Sequence, residues 1–255
     1  MNKKSRNGFI QTTGELLDMP AKEKIRLDKI FSESNLLSRS ETKAAAKKGR
    51  ITVNGITVKS AEEKVNETDV ITLDGVPIIR RRFFYIMMNK PEGYVCSTDD
   101  PASKTVLELL EDRDRPADIF PAGRLDKDTV GFLLLTNDGN LAHALLSPKK
   151  HAEKTYLFKC VKPLSPQDTA RLERGVPLDG AITKPARITC EGCSGTITLT
   201  EGKFHQIKRM FGFVGNEIIY LKRISFGGIL LDDKLEEGGY RYITENELKI
   251  LKNHV

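Results

Sequence analysis

The chain has 255 residues, 39 % hydrophobic and 30 % charged, with a formal net charge of +6. That length suits one large domain or two smaller ones, and no apolar run is long enough for a helical membrane span. The N-terminal stretch MNKKSRNGFIQTTGELLDMP lacks an apolar h-region, so a cytoplasmic location is expected.

The charge is unevenly placed. Residues 1–82 hold 17 basic and 11 acidic residues, whereas residues 83–255 hold 24 of each. A basic excess confined to the N-terminal third suits a polyanion-binding module, because each phosphate contact releases condensed counterions. The alternative is a solvated surface with a chance excess. Of the four cysteines, Cys190 and Cys193 form a CxxC, but no second CxxC or HxxxH lies nearby. Structural zinc sites draw on paired ligand clusters, so no metal is expected. CEGCSG reads as a turn between two strands.

Residues 1–24 are polar and aperiodic, and a flexible extension is expected there. From Ile25, IRLDKIFSESNLL places apolar residues at 25, 27, 30, 31 and 36, predicting a short amphipathic helix. Ser38 followed by Glu41 is a capping box for a second helix, SETKAAAKKG, which stops at Gly49. Lys43 and Lys47 share one of its faces. RITVNGITVK alternates about Asn54-Gly55, a strong hairpin signal, and DVITLDG adds a strand. With RLDK, SRSE and GRITVNG in this order, residues 25–78 resemble the RNA-binding domain first named from ribosomal protein S-four. The resemblance implies that Arg26, Lys29, Ser38, Arg39, Lys43, Lys48, Arg50 and Asn54 face structured RNA.

Residues 79–84 read as a basic linker, and a second domain is expected over 85–250. FYIMMNKPEGY gives a buried strand and a turn, and SKTVLELLED predicts a helix. GFLLLTNDG is a strand closed by a turn, NLAHALLS a short helix, and EKTYLFKCV a strand. LSPQDTARLERG is a helix ending at Gly175. ARITCEGCSGTITLTEG is a hairpin, KFHQIKRMFGFVG a helix, and EIIYLKRISFGGILL a strand. Strands and helices mix without strict βαβ alternation, which makes the fold α+β.

The chain has no GxGxxG after a strand, no GxxxxGK[ST] and no GxSxG, and its four histidines show no HExxH spacing. An enzyme of this sequence is expected to work without nucleotide, flavin or metal. That leaves carboxylates, tyrosines and cations as the reactive groups. PAGRLDKDT, residues 121–129, sets Asp126 among cations on a loop that feeds an apolar strand. Neighbouring cations favour the ionised carboxylate, which suits a nucleophile or base. A capping or ion-paired turn aspartate is the commoner local reading of Asp126, and Asp128 is read as structural, a turn or cap residue. A glycosidase pair of Asp126 and Asp128 is unfavoured, because two carboxyls on one short loop seldom flank a sugar.

NKPEGY, GRLDKDTVGFLLLTNDG, SPKKHAEKTY and EGKFHQIKRMFGFVGNEIIYLKR, in order, resemble the pseudouridine synthase family. More narrowly they resemble its RsuA branch, which modifies small-subunit ribosomal RNA and carries an S-four-type domain at its N-terminus. The resemblance covers residues 25 to 250. It implies a smaller RNA-binding module of two helices and a short sheet, followed by a mixed, largely antiparallel sheet flanked by helices.

The resemblance also implies a reaction and its residues. A uridine within RNA becomes its C-glycoside isomer with no cofactor. Asp126 is the catalytic carboxylate, Tyr156 stacks on the target base, Lys208 pairs with Asp126, and Leu221 packs beneath the site. Arg124, His205, Gln206, Arg209 and Arg223 are candidates to hold phosphates around the target. The expected partner is ribosomal RNA, 16S before 23S, free or in an assembling small subunit, met by a monomer. Uridine 516 is the implied nucleotide. A non-catalytic ribosome-assembly factor is the competing expectation, though a pure binder needs none of Asp126, Tyr156 and Lys208 together.

Overall fold

The computed structural model describes residues 24–34, 36–78, 83–147 and 152–253. The expected N-terminal extension up to residue 23, residues 79–82 of the expected linker and residues 148–151 of SPKKHAEKTY lie outside the described residues. Contacts group the described chain into two units, residues up to 30 with 39–78, and residues 31–38 with those beyond 78.

The N-terminal part carries, in chain order, β1 (Ile25–Arg26), α1 (Leu27–Glu33), α2 (Arg39–Lys47), β2 (Ile51–Val53), β3 (Ile56–Thr57), β4 (Lys64–Val65), β5 (Ile71–Leu73) and β6 (Val76–Pro77). The first helix starts later than its apolar pattern suggests, because Ile25 and Arg26 pair antiparallel with Val65 and Lys64. The β2–β3 turn places Asn54 at φ 51° and Gly55 at φ 81°. A two-residue type I′ hairpin needs both in the left-handed region. Helix α2 buries Thr42, Ala45 and Ala46 and exposes Arg39, Lys43 and Lys47 at four-residue spacing.

The second unit continues with β7 (Tyr85–Lys90), β8 (Phe120–Pro121), β9 (Val130–Thr136), α3 (Gly139–Leu146), β10 (Lys154–Cys160), α4 (Pro166–Arg174), β11 (Pro177–Leu178), β12 (Ala181–Ile182), β13 (Arg187–Glu191) and β14 (Ser194–Leu199). It ends with α5 (Gln206–Phe213), β15 (Ile218–Phe226), β16 (Ile229–Leu230), β17 (Tyr240–Tyr242) and α6 (Glu245–Lys252). Among the described residues, nine strands form one mixed sheet with the path β13-β14-β10-β15-β9-β7-β17; β8 joins β9 and β16 joins β15. Its ladders are antiparallel except β9 with β15.

Both faces of this sheet are covered. Strand side chains alternate between faces, so Leu133 and Leu135 of β9 join one core with Leu172 of α4 and Phe211 of α5. Phe132 and Leu134 join the other, with Leu145 of α3 and Leu251 of α6. All seven β9 residues are buried, which is why VGFLLLT runs apolar without alternating.

Several stretches depart from the sequence reading; EIIYLKRISFGGILL, expected as one strand, folds back as the antiparallel pair β15 and β16. SKTVLELLED closes only a 3-10 turn at Val106–Leu109. The bridge of Thr105 to Val95 and the extended Leu110 leave no room for the several turns a stable helix needs. β17 and α6 form where no element was expected, β17 adding to β7 at the sheet edge. No helix among the described residues is long and apolar enough to cross a membrane.

Candidate active site

Asp126 lies on the loop between β8 and β9. That loop is pinned where β9 runs parallel to β15, with Gly131 opposite Arg223. Gly131 has φ 100°, and a Cβ there would stand 2.3 Å from the Arg223 carbonyl oxygen. Only glycine allows so close an approach.

A buried lysine fixes the rest of the loop. Lys90, 0 % exposed at the end of β7, donates from Nζ to the carbonyls of Pro91 at 3.1 Å, Lys127 at 3.2 Å and Thr129 at 2.8 Å. The Gly93 amide donates to the Lys127 carbonyl at 2.8 Å, and the Thr129 amide to that of Asp126 at 3.1 Å. Leu125 donates its amide to Cys96 Sγ at 3.3 Å. Burial lowers the affinity of the Lys90 amine for its proton, against the opposing pull of nearby groups that include Asp128 and Asp126.

Tyr156 sits in β10, between β14 and β15. On β15 the residues facing Thr155 and Tyr156 are Ser225 and Arg223, so Ile224 is an extra residue, a bulge beside the site. Lys208 rides on the first turn of α5, whose preceding residue His205 is left-handed at φ 48°, ψ 35°.

These elements converge on one pocket. Its wall holds Arg124, Asp126, Tyr156, His205, Gln206, Lys208 and Leu221, seven of the residues singled out from the sequence. Leu125, Leu199 and Ile207 add apolar surface, and Thr129, Glu201 and Lys203 polar groups. The Lys208 ammonium lies 3.5 Å from Asp126 Oδ2, but its hydrogen bonds go to Asp128, at 2.5 Å to Oδ1 and 2.7 Å to Oδ2. His205 Nε2 is 3.5 Å from Asp126 Oδ1. Burial works to raise the Asp128 carboxyl, and the Lys208 bonds outweigh it and hold it below the usual range. A planar ligand entering the pocket therefore meets a tyrosine ring, a carboxylate and a cation shared by two carboxylates.

Several residues expected at phosphates are placed otherwise. Arg223 is 2 % exposed; its Nε donates to the Phe132 carbonyl at 2.6 Å and its guanidinium lies 4.9 Å over the Phe226 ring. It is a core cation that ties β15 to β9, out of reach of a phosphate. Gln206, 4 % exposed, accepts from the Lys203 amide and donates to Glu201, locking the turn before α5. Arg209 forks onto Asp179 at 2.9 and 2.6 Å, outside the pocket wall. In the N-terminal unit Arg26 forks onto Asp28, Arg50 onto Asp74, and the Asn54 amide ties the hairpin to Asp69 and Val70. Lys29, Ser38, Arg39, Lys43 and Lys48 are exposed.

The profile of the RNA pseudouridylate synthases matches residues 84–212, and that of the S4 domain residues 25–71. Over 234 residues, 89 % of this chain and 98 % of the relative, the sequence is 47 % identical to a Bacillus subtilis (strain 168) protein named uncharacterized RNA pseudouridine synthase YtzG. The chain belongs to the RNA pseudouridine synthase family. This synthase is also 40 % identical to the ribosomal small subunit pseudouridine synthase A of Escherichia coli (strain K12), over 88 % of its own length and 98 % of that protein. A solved structure titled crystal structure of pseudouridylate synthase superimposes with a TM-score of 0.63 at 37 % identity, covering 89 % of this chain and 99 % of that one.

Sequence reasoning gave no role to Lys90 and read Asp128 as a turn residue, yet both shape the synthase's pocket loop. The signals were present in NKPEG, whose lysine ends a buried strand, and in the i, i+2 carboxylates of LDKD.

Proposed function

We propose that the protein converts one uridine of bacterial ribosomal RNA to pseudouridine, and that this nucleotide is uridine 516 of 16S RNA. The gathering of Asp126, Tyr156 and Lys208 around one pocket carries the reading, and relatives named small-subunit synthases supply the choice of RNA. The N-terminal module anchors structured RNA through the exposed cations of α2. We place the protein in the cytoplasm as a monomer that meets 16S RNA free or in an assembling small subunit.

The chemistry balances within the substrate. The N1–C1′ bond breaks, the uracil turns, a C5–C1′ bond forms, and the proton lost at C5 is matched by one gained at N1. No electron is gained or lost, so no redox partner is required. A uridine in folded RNA must first leave its stack. Tyr156 offers the flipped base an aromatic surface within an apolar wall. Asp126 faces the sugar, where its carboxylate either attacks C1′ or removes a ribose proton. Lys208 balances the negative charge of Asp126 and Asp128 in a site partly cut off from water.

The test is incubation of the protein with unmodified 16S and 23S transcripts, free and partly assembled with ribosomal proteins. Pseudouridine is then mapped by carbodiimide labelling and primer extension. We expect one new stop, at 516 of 16S RNA, absent with Asp126→Asn although that variant binds RNA within a few-fold of the parent. A stop only in 23S RNA overturns the target. No stop on any RNA, with binding intact, overturns the catalytic reading in favour of an assembly factor.

A further inference from the structure

Phe204 is a large aromatic side chain left 67 % exposed. Lone exposed apolar residues are common and carry no meaning by themselves. This one differs in what it touches and how it is held. Its ring stacks on His205, with centroids 3.9 Å apart and planes 16° from parallel. His205 lines the pocket, 3.5 Å from Asp126. Phe204 thus stacks on a ring that lines the pocket, while its own side chain lies outside the pocket wall.

The segment that presents it is rigidly built. Gln206 clamps it from below through the Lys203 amide at 2.9 Å and Glu201 at 2.7 Å. Arg209, anchored on Asp179, also donates to the Phe204 carbonyl at 3.3 Å. His205 itself is held in the left-handed region, a backbone cost that tends to be kept where a site needs it. Packing of Phe204 into the core would relieve the exposure, yet the turn's hydrogen bonds keep the ring outside.

We infer that Phe204 stacks on a nucleobase neighbouring the flipped uridine, with His205 as the inner ring of the same tier. The inference rests on the proposed function and extends it to a second base. Unpaired RNA bases dock on aromatic faces, and such stacking tolerates any base because each has a π-face. Arg124 and Lys203 line the same pocket and supply cations for the adjoining phosphates. As a binding residue, Phe204 acts on how tightly RNA is held and leaves the reacting atoms alone.

The test uses the full-length protein and the ribosomal RNA segment that it converts. Phe204→Ala should raise Kd and KM about five- to hundredfold while kcat stays within about threefold. Phe204→Tyr and Phe204→Trp should restore binding, and Phe204→Leu, which keeps apolar area without a π-face, should not. Abasic substitution at one flanking nucleotide should weaken the parent equally and cost Phe204→Ala nothing further. Circular dichroism melting confirms that each variant folds. Unchanged Kd and KM in both the Ala and Leu variants, or losses that simply add for every abasic position, overturn the inference. Should the parent form no pseudouridine in any RNA, the functional reading falls, and Kd for the bound RNA still decides the stacking.

Discussion

Lys208 is shared unequally, hydrogen-bonded to Asp128 at 2.5 Å while standing 3.5 Å from Asp126. The outer carboxylate thus holds the ammonium in place, and the inner one keeps its oxygens open to the pocket. The two jobs of a charged partner, neutralising and occupying, are divided between the two aspartates.

Lys208→Met should lower kcat by about a hundredfold or more, the usual cost of removing a preorganised charge partner. Stability should move by less than about 1 kcal/mol, because the Asp128 end of the pair is 59 % exposed. The Asp128 carboxyl, relieved of its partner, should titrate at higher pH, which carboxyl NMR reads directly. Asp128→Asn should keep activity within about tenfold, since Lys208 can then close on Asp126.

Lys90→Met keeps an unbranched stem one atom shorter and removes the ammonium from three carbonyls. Each unmet buried acceptor costs about 1–3 kcal/mol, partly offset by relief of a buried charge. A net loss of about 1–3 kcal/mol in urea unfolding is expected. Activity should fall about a hundredfold through displacement of the Asp126 loop, even at temperatures where the variant remains folded.

Replacing Arg39, Lys43 and Lys47 together by alanine should weaken RNA binding and flatten its salt dependence. The slope of log K against log salt should shrink by about 2 to 3, roughly 0.7–0.9 for each phosphate no longer neutralised. A slope equal to the parent's would remove this face of α2 from the RNA interface.

Lys154 should give the fold an alkaline stability term. Burial first, then Arg223 and Lys184, push its ammonium down to about 8 from 10.5. Between those values the unfolded chain holds a proton that the folded chain has released, so stability rises with pH across that window. Relative to Lys154→Met, the parent should gain up to about 3 kcal/mol between pH 8 and 10.5. Urea titrations of both proteins at several pH values measure the difference.

Much of the architecture was readable because it is local. The Asn54-Gly55 turn, the apolar run of β9, and α4 with its Gly175 stop each declare themselves within a few residues. The loop carrying Asp126 was readable too, from its glycine and its place before a buried strand. What escaped is set by partners distant in sequence. Lys90 meets carbonyls 37 and 39 residues away, and Lys208 meets Asp128 across 80. Arg223 was misjudged because a cation at a strand position reads as exposed unless its covering layers are known. The bulge at Ile224 further breaks the alternation that would have indicated its face.

The one parallel ladder among the described residues, Val130 and Gly131 beside Lys222 and Arg223, is a seam between two halves of the catalytic sheet. Asp126 comes from the β9 side of the seam, and Tyr156, Lys208 and Leu221 from the β15 side. Closing that seam joins segments some 90 residues apart and must meet the entropy of a long loop before any contact repays it. Until then Asp126 stands apart from the tyrosine and lysine that share its pocket. Turnover is thus a reporter of finished folding: a chain with either half ordered alone has half of a pocket, and recovery of activity after dilution from denaturant should lag the recovery of helix and strand signals.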